Sequence, residues 1–343
     1  MKKTITISII FILISLFPLK PNACTSFSVY SKEPVYGMNW DYPEVKTRFA
    51  ISEYNGFKVF HMDFNIFDGF ATTVGMNNKG LFTAVQMQYP PMPTVQKMNR
   101  NEIDMNDLAV NMLYGYENID QIKEFLKNKN VVNHYLTIHD QFADKFGKAI
   151  VVESDDNETR ISEIKNKFMV MTNFANSVLN TYDYSQIFQV GSDRYAKAFE
   201  YIEKNISKFD LNYAFQCLNN TAQTSGSYPT QTSIVFIPDK NEVYISLKRD
   251  FGKVWKVSID NGTIATFKGF KNYFEKKIDK SGILMKELLK YSLNDKKHIV
   301  NKFPLPYILG IAAICVLIIV LAFVIRKKSR LKRRIGDNAE TKQ

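Results

Sequence analysis

The chain has 343 residues, 45% of them hydrophobic, 23% charged and 13% aromatic, a globular composition that excludes both disorder and a polytopic membrane protein. Of its formal charge of +11, three units lie at Lys2, Lys3 and Lys20 and six within 326–343, which leaves +2 for 24–325 and no broad basic footprint for nucleic acid. Residues 1–23 read as a secretory signal peptide, with Lys2 and Lys3 ahead of the apolar run 5–17 and a polar stretch ending at Asn22-Ala23. Cleavage there would make Cys24 the first residue of the mature chain.

Strand signals follow at 25–30 and 35–40, joined as a hairpin by Lys32-Glu33-Pro34. Pairing Ser31 with Val35 would set Asp41 opposite Thr25, and a slip of one residue would set Asp41 opposite Cys24 itself. Further strands are expected at 57–62, 71–74, 81–87, 134–139, 149–153, 160–164 and 168–171, and a second hairpin pairs 232–237 with 242–247. Helices are expected at 102–114, with Asn106-Asp107 as an alternative start, and at 120–126, 192–206 and 210–218. Strands at both ends with helices between them imply an α+β fold of stacked antiparallel sheets covered by helices.

Residues 271–306, rich in Lys and Asn, read as a juxtamembrane stem. The uncharged run 307–325 would span roughly 28 Å as a helix, close to the hydrocarbon thickness of a bilayer. Seven cations between Arg326 and Arg334 follow it, which marks 326–343 as a basic cytoplasmic tail and places the folded body outside a cell membrane, anchored by a single pass.

Three cysteines, Cys24, Cys217 and Cys315, form no disulfide framework, although a Cys24–Cys217 bridge is one structural reading. The other reading is chemical. A cysteine at a chain terminus combines a thiol nucleophile with an α-amine of pKa about 8 that can act as its base, and no distant histidine is needed. His61, His134 and His139 sit in strand-like runs and His298 in the stem, all read as structural, and no cluster has metal-ligand spacing.

Cys24-Thr25, Gly37-Met38-Asn39-Trp40-Asp41, Gly75-Met76-Asn77-Asn78-Lys79-Gly80-Leu81, Met171-Thr172-Asn173 and Ser192-Asp193-Arg194-Tyr195 occur in this order. So does the stretch from His134-Tyr135-Leu136 through Asp144-Lys145-Phe146-Gly147 to Val152-Glu153. Together they resemble the choloylglycine hydrolase and penicillin V acylase group of N-terminal-nucleophile hydrolases, the linear amide C–N hydrolases. The resemblance implies a four-layer αββα sandwich over 24–270, no cofactor or metal, and cleavage of an amide with an apolar acyl group through a cysteine thioester. It implies Cys24 as nucleophile, Asp41 as the residue that holds the α-amine, Asn173 as oxyanion donor, and Arg194 as a cation favouring the thiolate.

Met38 stands where the family usually has arginine, which argues against bile-salt hydrolysis. The apolar, proline-rich segment 87–98 offers Met87, Tyr89 and Met92 as substrate-binding residues for an acyl chain. Acyl transfer through the same thioester, or a non-catalytic binding or lipoprotein role with Cys24 modified, are the competing functions. The family's tetramers also leave room for a homo-oligomer.

Overall fold

A computed structural model describes residues 24–297 except 67, 68, 93, 96, 135, 156 and 157. The expected signal peptide, the apolar run 307–325, the basic tail, His298 and Cys315 lie outside the described residues. Among the described residues no helix is long and apolar enough to cross a membrane. The chain divides into two compact units, Met1–Ser292 and Leu293–Gln343. Of the second, only 293–297 is described, as the end of a helix.

The chain opens with a hairpin, β1 (Thr25–Tyr30) and β2 (Pro34–Asp41), and continues through β3 (Thr47–Tyr54), β4 (Phe57–Ile66), β5 (Gly69–Asn77) and β6 (Phe82–Met87). A short β7 (Glu102–Asp104) leads into helices α1 (Met105–Gly115) and α2 (Ile119–Leu126). Then come β8 (Asn130–Val132), β9 (Ile138–Ala143), β10 (Ala149–Asp155), β11 (Glu158–Glu163) and β12 (Phe168–Met171). Helices α3 (Ser192–Asn205) and α4 (Leu211–Thr221) precede β13 (Thr230–Ile237), β14 (Glu242–Leu247), β15 (Val254–Ser258) and β16 (Thr263–Lys268). The last elements are β17 (Glu275–Lys277), β18 (Ile283–Leu284) and α5 (Met285–Lys297).

The strands form two eight-stranded antiparallel sheets, ordered β12-β1-β2-β13-β14-β15-β16-β17 and β11-β10-β9-β6-β5-β4-β3-β18, with β7 and β8 as a small parallel pair. Alternation explains the layering. Met38 and Trp40 of β2, Phe60 and Met62 of β4, and Phe82 and Ala84 of β6 fill one apolar layer between the sheets. The opposite faces are covered separately: Phe27, Val29 and Val235 pack under Ala198 and Ile202 of α3 and Leu218 of α4. Val85, Ile138 and Phe142 pack under Leu108 and Met112 of α1 and Ile122 of α2. The result is the expected αββα order.

Polar caps start the helices where the sequence offers them. Asp104 accepts from the Asn106 N–H at α1, Asn118 from the Gln121 N–H at α2, and Asp210 from the Asn212 and Tyr213 N–H groups at α4. The N-cap of α3 is Gly191, at φ 89°, where a Cβ would lie 2.9 Å from Thr172 Oγ1 and 3.0 Å from the Asn173 nitrogen. Only glycine lets this helix start so close to that loop.

Three sequence expectations are corrected. The strand expected at 134–139 begins at Ile138, because the Asn133 side chain accepts from the Ile138 N–H and Asp104 accepts from the His134 N–H, holding 133–137 out of the ladder. In the first hairpin Val29 pairs with Val35 and Thr25 with Asn39, two residues from the register built on Ser31 and Val35. The 270 boundary is too early: β17 and β18 extend both sheets, and Ile278, Ile283, Met285 and Leu288 join the inter-sheet core.

Candidate active site

Cys24 precedes β1, which lies between β12 and β2. Ser26 pairs with Met171, and two residues further the same register brings Asn173 level with Cys24. On the other side, the Asp41 N–H donates to Cys24 Sγ at 3.4 Å. Asp41 pairs across the sheet with Thr230, whose hydroxyl donates to Oδ1. Gln223 Nε2 donates to Oδ2 at 3.1 Å, and Arg194 Nη1 lies 3.8 Å from the same oxygen. Cys24, Asp41, Asn173 and Arg194 are all buried, and the four residues expected to act together are brought together. Thr230 and Gln223, which hold the Asp41 carboxylate, were not legible in the sequence, since only the order of strands puts β13 beside β2.

Burial dominates the electrostatics. It pushes the Cys24 thiol up to about 12, with the Asp41 charge adding to the rise, while the Asp41 N–H and the Arg194 charge pull the other way. Arg194 thus acts in the expected direction but does not by itself produce a thiolate. Burial also lifts the Asp41 carboxyl to about 7 against the hydrogen bonds from Thr230 and Gln223 and the charges of Arg194 and Arg249. Desolvation holds Arg194 below its ordinary value.

The Asp41 shift carries a prediction about stability. Its folded pKa of about 7 exceeds the ordinary 3.8, so the folded state holds an extra proton between these values. That stability is fully present below pH 3.8 and is lost as pH rises through about 7, on the order of 4 kcal/mol at one pKa unit per 1.4 kcal/mol. Urea unfolding of the full chain with Cys24 in peptide linkage should show this decline, and Asp41→Asn should flatten it. Asp140, raised well above its ordinary value by burial and by Asp104, has the same sign, so the difference between Asp41→Asn and wild type isolates Asp41.

Cys24, Asp41 and Asn173 line a cavity of about 60 Å³ whose remaining wall includes the apolar Trp40, Tyr42, Phe64, Val85, Met87, Leu136 and Ile138 and the polar Thr72, Thr73, Gln86 and Asn106. Trp40 stacks on Tyr42 with centroids 5.2 Å apart and planes 12° apart, and Phe64 packs against both rings. The cavity is thus lined largely from β2, β5 and β6. Among the described residues of the segment 87–98, only Met87 lines it. Tyr89 is not in the lining; its N–H donates to the Asn173 carbonyl at 2.6 Å. Met92 lies at a separate cavity with Gln88, Pro90 and Glu153, its backbone tied to the Thr137 hydroxyl by two bonds of 3.0 Å, so it is not brought to Cys24. The aromatic wall could have been found from alternation, because Trp40 falls on the same inward face as Met38.

Asn173 Nδ2 donates to the Met87 carbonyl at 2.6 Å, which engages one of its two hydrogens and fixes the plane of the amide. Met38, where the resembled family usually has arginine, is buried in the inter-sheet core. Cys217 is a buried free thiol on α4 and no bridge joins it to Cys24. Among the histidines, His61 bonds Ser52 at 2.9 Å and Asp63 at 2.7 Å, with Arg48 on the second Asp63 oxygen, a network that ties β3 to β4 and reaches the cavity wall where the Thr72 hydroxyl donates to Asp63 Oδ1 at 2.9 Å.

No protein-family model matches the chain. No curated protein matches it either. Its fold is nevertheless similar to solved structures. A variant of conjugated bile acid hydrolase from Clostridium perfringens aligns with a TM-score of 0.51 at 19% identity, covering 75% of this chain and 98% of that one. Penicillin V acylase from Agrobacterium tumefaciens aligns with a TM-score of 0.53 at 14% identity, covering 68% and 91%. At these identities the likeness establishes a shared fold.

Proposed function

We propose that the chain is an extracytoplasmic, membrane-anchored amidase that hydrolyses a linear, non-peptide amide with a compact apolar acyl group, using Cys24 as an N-terminal nucleophile. The observation that carries this reading is the convergence of Cys24, Asp41 and Asn173 on one small, mostly apolar cavity. The proteins with a similar fold are named as a conjugated bile acid hydrolase and a penicillin V acylase, which agrees with it.

Removal of 1–23 would turn the Cys24 nitrogen into an α-amine beside its own thiol and close to the Asp41 carboxylate. The amine takes the thiol proton, and Asp41 and Arg194 balance the charges that result. Sulfur then attacks the amide carbonyl, whose oxygen becomes an anion within reach of the second Nδ2 hydrogen of Asn173. Collapse expels the amine, which leaves with the proton held by the Cys24 nitrogen, and water activated by that nitrogen hydrolyses the thioester. Location outside the membrane follows from the apolar and basic segments at the two ends of the sequence.

The test is an intact mass with N-terminal sequencing of the exported protein, before and after a thiol alkylator, followed by a panel of N-acyl amides. The reading expects a chain starting at Cys24, one alkylatable thiol absent from Cys24→Ser, and hydrolysis that favours short or flat apolar acyl groups. A chain that keeps Met1, or a lipid-modified Cys24, would sink it.

A further inference from the structure

The peptide that carries Asn173 lies just past the end of β12, where the sheet ladder stops serving its carbonyls. The Thr172 carbonyl is taken up from the opposite sheet: His139 Nε2, on β9, donates to it at 2.7 Å. The other ring nitrogen, Nδ1, stands 3.4 Å from Glu153 Oε1 on the neighbouring β10. Glu153 in turn accepts the backbone N–H groups of Asn176, through Oε1, and of Ser177 at 3.0 Å, through Oε2. His139 is 0% exposed and Glu153 1%. Two side chains of one sheet therefore grip both flanks of the loop that presents Asn173 from the other, and neither lines the Cys24 cavity.

Burying an imidazole and a carboxylate is costly even when they are bonded, and an apolar pair of similar volume would pack the two sheets as well. What an apolar pair could not do is fix the direction of a carbonyl and two N–H groups. We propose that His139 and Glu153 are positioning residues for the oxyanion donor: they hold 172–177 so that the free Nδ2 hydrogen of Asn173 points at the carbonyl carbon's oxygen in the cavity. On the opposite flank the Met87 carbonyl and the Tyr89 N–H complete the grip. The Gln86 amide is a second donor to the Thr172 carbonyl when its nitrogen faces it, at 3.2 Å, so loss of His139 loosens the loop rather than freeing it. This inference rests on the amidase reading for its kinetic consequence, and on geometry alone for its structural one.

The experiment compares His139→Leu, His139→Gln and Glu153→Gln in the mature full chain with Ile122→Ala, a core substitution under α2 remote from the loop, as a control for general loosening. His139→Leu is expected to lower kcat about 30-fold with KM within about threefold, since a misplaced catalytic group costs rate rather than binding. His139→Gln, which keeps a donor, should recover most of that loss, and Glu153→Gln should fall about 10-fold. In the Asn173→Ala background His139→Leu should have no further effect on kcat. Side-chain amide spectra of asparagine-labelled protein supply a readout that needs no activity: the Asn173 pair, assigned by its loss in Asn173→Asp, should shift in His139→Leu and Glu153→Gln and stay put in Ile122→Ala. Equal kcat losses in His139→Leu and a control of matched Tm, or a full further loss in the Asn173→Ala background, would overturn the proposal. If His139→Leu does not fold, Glu153→Gln decides by the same criteria. If wild type cleaves no amide, the amidase reading fails, and an unmoved Asn173 resonance then overturns the positioning role independently.

Discussion

Cys24→Ala is expected to lose amide hydrolysis by about 10⁴-fold or more in kcat/KM while its Tm stays within a few degrees of wild type. The two halves of this prediction have different causes. On the proposed path sulfur forms the covalent bond and the other groups act only through it, so removing it would leave little more than binding. The thiol is buried, yet its polar contacts are with the backbone N–H and carbonyl of Asp41, and alanine fills most of its space in the inter-sheet layer. Cys24→Ser should be nearly as inactive, because a hydroxyl is a far weaker acid than a thiol and would give up its proton to the terminal amine only as it attacks. The check is a rate assay on the acyl amide panel beside a thermal melt. Activity within tenfold of wild type in Cys24→Ala would place the nucleophile elsewhere.

The electrostatics explain why the thiol should be inert until the chain is processed. With its nitrogen in a peptide bond, Cys24 has a pKa of about 12, and at neutral pH the thiolate is negligible. An amine of pKa about 8 would still be some four units short of such a thiol, a gap on the order of 5 kcal/mol if nothing else changed. The amine changes it. Once protonated it is a cation in contact with the sulfur, and it also neutralises Asp41, the neighbour whose charge opposes the thiolate. Arg194 adds to this from the far side of the Asp41 carboxylate. Burial that disfavours a lone thiolate favours an adjacent ion pair far more strongly than water would.

How much of this was readable from the sequence depended on how local the signal was. Cys24, Asp41, Asn173 and Arg194 were readable because each sits in a short motif at the end of a strand or the start of a helix. Strand and helix periodicity also gave the hairpin and the helices that cover it. The hairpin register was set wrong by two residues, because Ser31 and Lys32 offered no turn residue that pins pairing and the true closure pairs Tyr30 with Pro34. Partners contributed by sheet order were invisible: Thr230 reaches Asp41 across 189 residues, and His139 reaches Thr172 across the sandwich. Met92 was misplaced for a related reason, since a proline-rich apolar loop announces stiffness but not direction, and here Thr137 turns it away from the cavity. The edge pieces β17 and β18 were missed because sequence rich in Lys and Asn suggested a stem from 271, whereas lysines on the solvated edge of a sheet are ordinary.

Asn173→Ala separates stabilisation of the transition state from binding, and it should lower kcat by about 10²- to 10³-fold, or 3–4 kcal/mol, with KM changed little. The ground-state carbonyl asks little of an Nδ2 hydrogen, whereas the tetrahedral anion asks a great deal, so the interaction belongs to the rate. Stability should move less than the loss of a buried hydrogen bond suggests. The Nδ2 bond to the Met87 carbonyl disappears, at about 1 kcal/mol, but the Asn173 Oδ1, a buried oxygen with no partner, disappears with it. Asn173→Asp should be worse than alanine in rate, because a carboxylate there would face both the Met87 carbonyl and the developing oxyanion. Steady-state kinetics with one good acyl amide, together with a melt of each variant, decide the matter. A rise in KM at unchanged kcat would make Asn173 a substrate clamp, and the oxyanion would then need another donor.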